Sequence, residues 1–396
     1  MRFSLAGDFT RELASVLRGY PAFVLSPRAA PLAAHVPVFV YHGIEPRAFE
    51  RDLAFLADNG YRTIGMQELV RHLSGGKVAP RSVVLTFDDA RSSFWRYGFP
   101  LLERFEMRGV LFVIAGLTLD APACRPNLSA VRDGACTLAD IAALDPDDAT
   151  LCTWPELAHM HASGRVEVES HSLFHQEVFV GTEIVDFVGP DTSLVPFATP
   201  VTAYLERADS GRPLAPEPLL GLPLFRSAPL YVAPFAFRVP PDLRRFARDV
   251  WDGLSEGERS PSACRRALHE RWRRVDVAAR LARQTQAQIA AAIAEDLAAA
   301  RELIKTRVDA TAGDHFCVPY GAAGPATLAA AACLGVESVS WGVIPGKKHN
   351  APGDSPFEVA RLKCDFLWRL PAANRASLAE IYGRKALRRL RGQRVY

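Results

Sequence analysis

Short apolar runs alternate with amphipathic stretches along most of the chain. Residues 36–41 form an apolar run typical of a buried strand, and apolar residues at helical spacing follow over residues 49–56. The same order returns over residues 61–73, and the run 82–87 that comes next contains no charged residue. Repeated strand-then-helix units of this length predict parallel strands joined by right-handed crossovers. We therefore expect an α/β fold, built as a barrel or as a doubly wound sheet.

Two long segments interrupt this rhythm. Residues 117–152 are rich in turn-forming residues, and residues 186–260 are dense in proline and aromatic side chains. Loops of this length inside a compact domain are usually functional lids or small subdomains. Because the strand-and-helix pattern resumes afterwards, we expect 186–260 to be an inserted cap. Four of its aromatic side chains could stack on a sugar, although a small apolar core of the cap is the favoured interpretation: Phe225, Tyr231, Phe235 and Phe237.

Two pairs of polar side chains follow directly on predicted strands. Asp88 and Asp89 come after the run 82–87, and α/β folds place their sites at such strand ends, although an aspartate there can also simply cap the next helix. His171 and His175 follow another strand. Two histidines four residues apart can share one metal ion if the segment forms a helical turn, with a carboxylate as a third ligand. Together, the two pairs indicate a divalent-metal site.

Three motifs carry a resemblance to a known family. Thr86-Phe87-Asp88-Asp89, then the segment 171–175 and then the Pro-Tyr-Gly segment 319–321 resemble the signature motifs of the polysaccharide deacetylases, the NodB-homology or carbohydrate esterase family 4. The pattern is nearest to the poly-N-acetylglucosamine deacetylase branch, and it covers roughly residues 36–180 and 285–365.

The resemblance implies a distorted (β/α) barrel of the NodB-homology type with the Pro/aromatic-rich cap inserted into it. With this fold, the expected parts are an N-terminal extension (1–35), a first part of the barrel (36–185), the inserted cap (186–260), a second part of the barrel (261–370) and a basic C-terminal helix (371–396).

The resemblance also implies a catalytic apparatus. Asp89, His171 and His175 would bind one divalent metal ion, with zinc the first expectation and cobalt, nickel or manganese as alternatives. Asp88 would be the base that takes a proton from the attacking water. The backbone N–H of Tyr320 would help to bind the oxyanion.

Two departures from the family pattern concern the acid and the base. Many members carry an arginine shortly before the Pro-Tyr-Gly motif that orients the base, and Cys317 stands at that place. Arg361 resembles a late arginine of the poly-N-acetylglucosamine branch and could position a carboxylate in its stead. Many members also carry a late Leu-x-His motif, and no such motif lies near the C-terminus of this sequence. We therefore expect His42 to be the general acid, with His349 as the second candidate.

Composition narrows the remaining possibilities. Lysine plus arginine number 47 against 44 aspartate plus glutamate, and the resulting charge of +3 does not favour binding to nucleic acid. Seven scattered cysteines without a CxxC pair argue against a disulfide framework and favour a reducing compartment. No apolar stretch reaches the ~20 residues of a spanning helix, so we expect a cytoplasmic protein. The basic run 384–394 could contact a membrane surface, although a solvated helix end is favoured.

The sequence thus predicts a hydrolase that removes an acetyl group from an N-acetylated sugar or a carrier-linked glycan. One alternative is a carbohydrate-binding protein that kept the fold and lost catalysis, as Cys317 and the missing late histidine would suggest. Another is a metal hydrolase of a non-sugar amide or an O-acetyl ester, which would use the same residues.

Overall fold

The computed structural model describes residues 19–344 and 346–390, so residues 1–18 of the predicted extension and 391–396 of the predicted C-terminal helix lie outside it. The strands are β1 (Val38–Tyr41), β2 (Arg62–Thr63), β3 (Ser82–Phe87), β4 (Gly109–Val113), β5 (Val166–Ser170), β6 (Glu177–Phe187), β7 (Pro223–Pro229), β8 (Ala236–Arg238), β9 (Ala282–Gln284), β10 (His315–Cys317), β11 (Ser338–Ser340) and β12 (Leu362–Lys363).

The α-helices are α1 (Ala22–Leu25), α2 (Pro46–Asp58), α3 (Met66–Leu73), α4 (Phe99–Arg104), α5 (Leu128–Arg132), α6 (Leu138–Ala143), α7 (Trp154–Ala162), α8 (Pro241–Asp252), α9 (Cys264–Trp272), α10 (Val277–Arg280), α11 (Gln286–Arg307), α12 (Pro325–Cys333) and α13 (Leu378–Leu390). A five-residue π-helical segment, Phe94–Gly98, leads into α4. None of the helices in the described ranges is both long and apolar enough to cross a membrane.

Seven parallel strands form the main sheet, in the order β11-β10-β5-β4-β3-β1-β12, and β2 pairs with β3 beside this path. The two ends of the path meet through a parallel bridge between Ser340 and Val359. There the Trp341 N–H donates to the carbonyl of Val359 at 2.9 Å, and the Val359 N–H donates to the carbonyl of Val339 at 3.0 Å. The sheet therefore closes into a ring, and the predicted distorted (β/α) barrel is confirmed.

Strand β3 shows why a barrel strand can lack charged residues: both of its faces are covered. In β3 all six residues are buried. Val84 belongs with Val110 to the apolar cluster of one sheet face, which also contains residues of α3. Leu85 and Leu111 belong to the large cluster of the other face, beneath the surrounding helices. Since successive side chains point to opposite faces, a run without charge is what a strand buried on both sides requires.

The insert carries its own sheet and core. Strands β6 to β9 form a four-stranded sheet in the order β7-β6-β8-β9, and their pairings are antiparallel. Its apolar cluster includes Phe225, as predicted, whereas Tyr231 packs against the barrel residue Phe316 at a ring-centroid distance of 5.3 Å. We call Glu177–Gln284 the insert.

The insert is wider than the predicted cap of 186–260. Strand β6 begins only two residues after His175, and β9 ends just before α11. Neither β6 nor β9 contains a proline, so the proline-rich composition that marked the cap did not mark these two strands. Residues 262–308 are rich in alanine and arginine, and they contain the three helices α9, α10 and α11.

Candidate metal centre and active site

The turn after β3 sends its two carboxylates in different directions. Asp88 remains tied to the barrel because its N–H donates to the carbonyl of Tyr41 at 2.9 Å. Asp89 and Ala90 then adopt left-handed backbone conformations, with φ of +70° and +55°. Such conformations are costly for side-chain-bearing residues and cluster at functional sites. The turn lets Asp88 face Arg361 while Asp89 faces His171.

The two histidines meet through an irregular turn after β5, where the sequence had suggested a helical turn. Ser172 and His175 both have positive φ, of +81° and +52°, and the Ser172 hydroxyl accepts a hydrogen bond from the His175 N–H at 2.8 Å. The two imidazole rings lie 5.0 Å apart between centroids. One potential ligand atom each from Asp89, His171 and His175 lies within 4.8 Å of the others, and all three residues are buried.

The protonation states suit metal binding. His171 Nδ1 lies 2.9 Å from the carbonyl oxygen of Cys317, and since a carbonyl only accepts, Nδ1 carries the proton and Nε2 keeps its lone pair. That Nε2 lies 3.7 Å from Asp89 Oδ1. Burial lowers the pKa of both His171 and His175, which keeps the two rings neutral. Two neutral imidazoles and one carboxylate are a donor set that fits zinc and related divalent ions.

Arg361 contacts Asp88, a carboxylate of the site. Its Nη1 and Nη2 donate to Asp88 Oδ1 and Oδ2 at 2.6 and 2.8 Å, and its Nε donates to the carbonyl of Trp341 at 2.7 Å. Burial alone would raise the pKa of Asp88, but Arg361 outweighs it and, with His171 and His42, holds that pKa below its usual value. Asp88 is therefore ionised at neutral pH.

Cys317 is a buried neighbour of the same carboxylate. Its Sγ lies 3.7 and 3.8 Å from the two Asp88 oxygens, and burial raises the pKa of the thiol well above its usual range. The protonated thiol packs as a small buried side chain, while Arg361 makes the charged contact.

Of the two candidate general acids, His42 lies beside the base. Its Nε2 is 3.9 Å from Asp88 Oδ2. Burial lowers the pKa of His42 to about 4, although Asp88 opposes this shift, so the ring is neutral at pH 7. His349 instead lies on an exposed loop with its ring 5.3 Å from that of His35.

Tyr320 lies at the rim of the site. Its backbone is left-handed, with φ of +59° and ψ of 8°. Its side chain is half exposed, and the ring lies 4.4 Å from that of His175. Burial and then the neighbouring Glu177, which belongs to the insert, raise the pKa of the Tyr320 hydroxyl.

Sequence reasoning missed one residue, Arg91. Its Nε and Nη2 both lie 3.2 Å from Asp89 Oδ2. Burial raises the pKa of Asp89, and His171 and Arg91 oppose that rise. The one available signal was the position of Arg91 two residues beyond Asp89 in the same strand-end turn.

Part of the chain matches a known protein family. Residues 75–192 match the family of polysaccharide deacetylases. The resemblance that the motifs indicated is therefore confirmed for this region. The matched region contains Asp88, Asp89, His171 and His175, whereas Arg361 lies outside it and is brought to the site by the closure of the barrel.

Two sequence relatives carry the names of deacetylases. The chain is 29% identical over 133 residues to the poly-beta-1,6-N-acetyl-D-glucosamine N-deacetylase of Escherichia coli K12, a match that covers 33% of this chain and 18% of that protein. The chain thus spans about a fifth of the length of that relative. It is also 29% identical over 90 residues to the putative polysaccharide deacetylase YxkH of Bacillus subtilis, covering 20% of this chain and 32% of that one.

Among solved structures, the deacetylase domain of BpsB from Bordetella bronchiseptica aligns with a TM-score of 0.48 and 18% identity, over 84% of this chain and 97% of that one. IcaB from Ammonifex degensii aligns with a TM-score of 0.44 and 18% identity, over 89% of this chain and 96% of that one.

Proposed function

We propose that this chain is a metal-dependent hydrolase that removes the acetyl group from an N-acetylated sugar. The observation that carries the proposal is the convergence of Asp89, His171 and His175 beside the Arg361-held carboxylate of Asp88. Polysaccharide deacetylases are hydrolases of carbon–nitrogen bonds other than peptide bonds, which supports the reaction class.

Asp89, His171 and His175 would hold the ion, with zinc as the first expectation and cobalt, nickel or manganese as alternatives. A divalent ion bound there supplies Lewis acidity, which acidifies a water molecule and polarises the acetyl carbonyl. Asp88, ionised and oriented by Arg361, accepts the proton of the attacking water at a carboxylate oxygen.

The two remaining candidate residues, His42 and Tyr320, would act on the leaving group and on the oxyanion. His42 Nε2, 3.9 Å from Asp88 Oδ2, would deliver a proton to the departing amine nitrogen. Because His42 is neutral at pH 7, the proton must reach it within the turnover, and Asp88 is the nearest donor once it has taken a proton from water. The backbone N–H of Tyr320 would donate to the developing oxyanion, a kind of contact whose removal costs about 3–4 kcal/mol.

The sugar substrate is proposed from the deacetylase domain and from the E. coli relative, which is named for poly-beta-1,6-N-acetyl-D-glucosamine. An N-acetylated polysaccharide or a carrier-linked glycan is the substrate class that we infer. A cytoplasmic location and a peripheral membrane contact through the basic C-terminus remain predictions from the sequence.

The test is acetate release from N-acetylglucosamine oligomers by the zinc-loaded full chain, compared with Asp88→Asn. We expect turnover by the wild type and a loss of at least a hundredfold in the variant, with its metal content unchanged. Substantial activity in Asp88→Asn would remove Asp88 from the role of base. Release from O-acetyl esters or simple acetamides, without release from sugars, would replace the proposed substrate while keeping the residues.

A further inference from the structure

The geometry points to Arg91 as a positioning residue for the candidate metal ligand Asp89. Phe197 of the insert holds Arg91 in place. This inference rests on the proposed metal site. It adds that the insert helps to set the geometry of the metal centre, in addition to any contact that it makes with a substrate.

Arg91 donates hydrogen bonds to one of the two carboxylate oxygens of Asp89. Its Nε and Nη2 both approach Oδ2 at 3.2 Å, whereas Oδ1 faces His171 Nε2 at 3.7 Å. The side chains of Arg91 and Asp89 are 15% and 4% exposed, so the contact is largely shielded from water. By holding Oδ2, Arg91 fixes the rotation of the carboxylate and leaves Oδ1 toward the histidines.

Arg91 is itself packed on two sides. Its Cζ lies 3.7 Å from the centroid of the Phe197 ring, a close cation–π contact. Its Nη1 also lies near Gly43, the residue that follows His42, since a Cβ placed on Gly43 would lie 3.7 Å from Nη1. Phe197 belongs to the insert and packs against the main apolar cluster of the barrel. The contacts therefore run from the insert through Arg91 to Asp89.

Two opposite effects on metal affinity must be weighed. A cation near the site repels a metal ion, but groups that hydrogen-bond a ligand usually raise its affinity, and their loss typically costs 10–100-fold. Because Arg91 already neutralises a carboxylate and makes a forked contact with it, we expect orientation to outweigh repulsion.

The experiment measures the zinc affinity of the purified full chain by competition with a chromophoric chelator. Arg91→Ala should bind zinc at least ten times more weakly than the wild type. Arg91→Lys keeps the charge but cannot form the same forked and stacked contacts, so it should also bind more weakly. Phe197→Leu should lower affinity several-fold. Arg125→Ala is the matched control, because Arg125 makes a forked contact with Glu156, which is no candidate ligand.

Equal zinc affinity in the wild type and Arg91→Ala, or tighter binding in the variant, would overturn the positioning role. Wild-type affinity in Arg91→Lys would also overturn it, since charge alone would then suffice. An unchanged affinity in Phe197→Leu would disprove the link to the insert. Failure of the wild type itself to bind zinc would instead refute the metal site, and with it the proposed function.

Discussion

The pairing of Arg361 with Asp88 yields the sharpest prediction about this site. The two side chains are only 3% and 5% exposed and are joined by a forked contact. Replacing Arg361 by methionine keeps much of its volume and leaves Asp88 as a buried carboxylate without its cation. Removing one partner of a buried pair costs about 3–5 kcal/mol. We therefore expect Arg361→Met to lose about that much free energy of unfolding at pH 7.

The pH dependence of the free energy of unfolding should change as well. In the wild type the pKa of Asp88 is held below its unfolded value of about 3.8. The ion pair therefore stabilises the fold above pH 4, and this stabilisation is lost only at more acidic pH. Without Arg361, burial becomes the dominant influence and raises that pKa above the unfolded value. Protonation of Asp88 then favours the folded state, so the deficit of Arg361→Met should shrink as the pH falls from 7 to 5.

The assay is urea unfolding followed by tryptophan fluorescence, at pH 5 and pH 7, with a chelator present to remove metal. Wild type, Arg361→Met, Asp88→Asn and the double variant form a cycle whose coupling energy we expect to be about 3 kcal/mol at pH 7. A coupling near zero, or a deficit in Arg361→Met that does not depend on pH, would refute the reasoning.

Two further predictions concern the metal and a second carboxylate. His171→Ala should abolish the binding of about one zinc per chain that elemental analysis should find in the wild type, whereas His159→Ala, on an exposed face of α7, should keep it; retention in His171→Ala would contradict the site. Burial raises the pKa of Asp52 to about 7, although hydrogen bonds from Trp368 and Tyr41 oppose the rise. Folding stability should therefore fall as the pH rises from 4 through 7, by at most on the order of 4 kcal/mol. Asp52→Asn should flatten this slope in unfolding measurements, and an unchanged slope would exclude Asp52 as its origin.

The local parts of the site were predictable because they follow one another in the chain. The uncharged run that became β3 placed Asp88 and Asp89 at a strand end, and the spacing of His171 and His175 indicated a shared ion. The alternation of buried strands and amphipathic helices likewise predicted a parallel sheet, since each element must bury a matching apolar face. These inferences needed only the side-chain periodicities of strands and helices.

Tertiary structure alone decided how the distant parts meet. Arg361 reaches Asp88 across more than 270 residues because β12 pairs with β1 and the ring closes near Val359. The left-handed turns at Asp89 and His175 redirect both side chains in a way that no helical or strand periodicity encodes. The role of Cys317 as the carbonyl acceptor for His171 depends on a neighbouring strand.

The sequence by itself thus determined the elements and the ligand types, because hydrophobic periodicity and the chemistry of imidazole and carboxylate groups are local properties. Only the folded chain determined that Arg361 holds Asp88 and that Arg91 holds Asp89. Those assignments depend on distances between strands and on the exclusion of water, and both arise when the barrel closes and the insert packs Phe197 over Arg91.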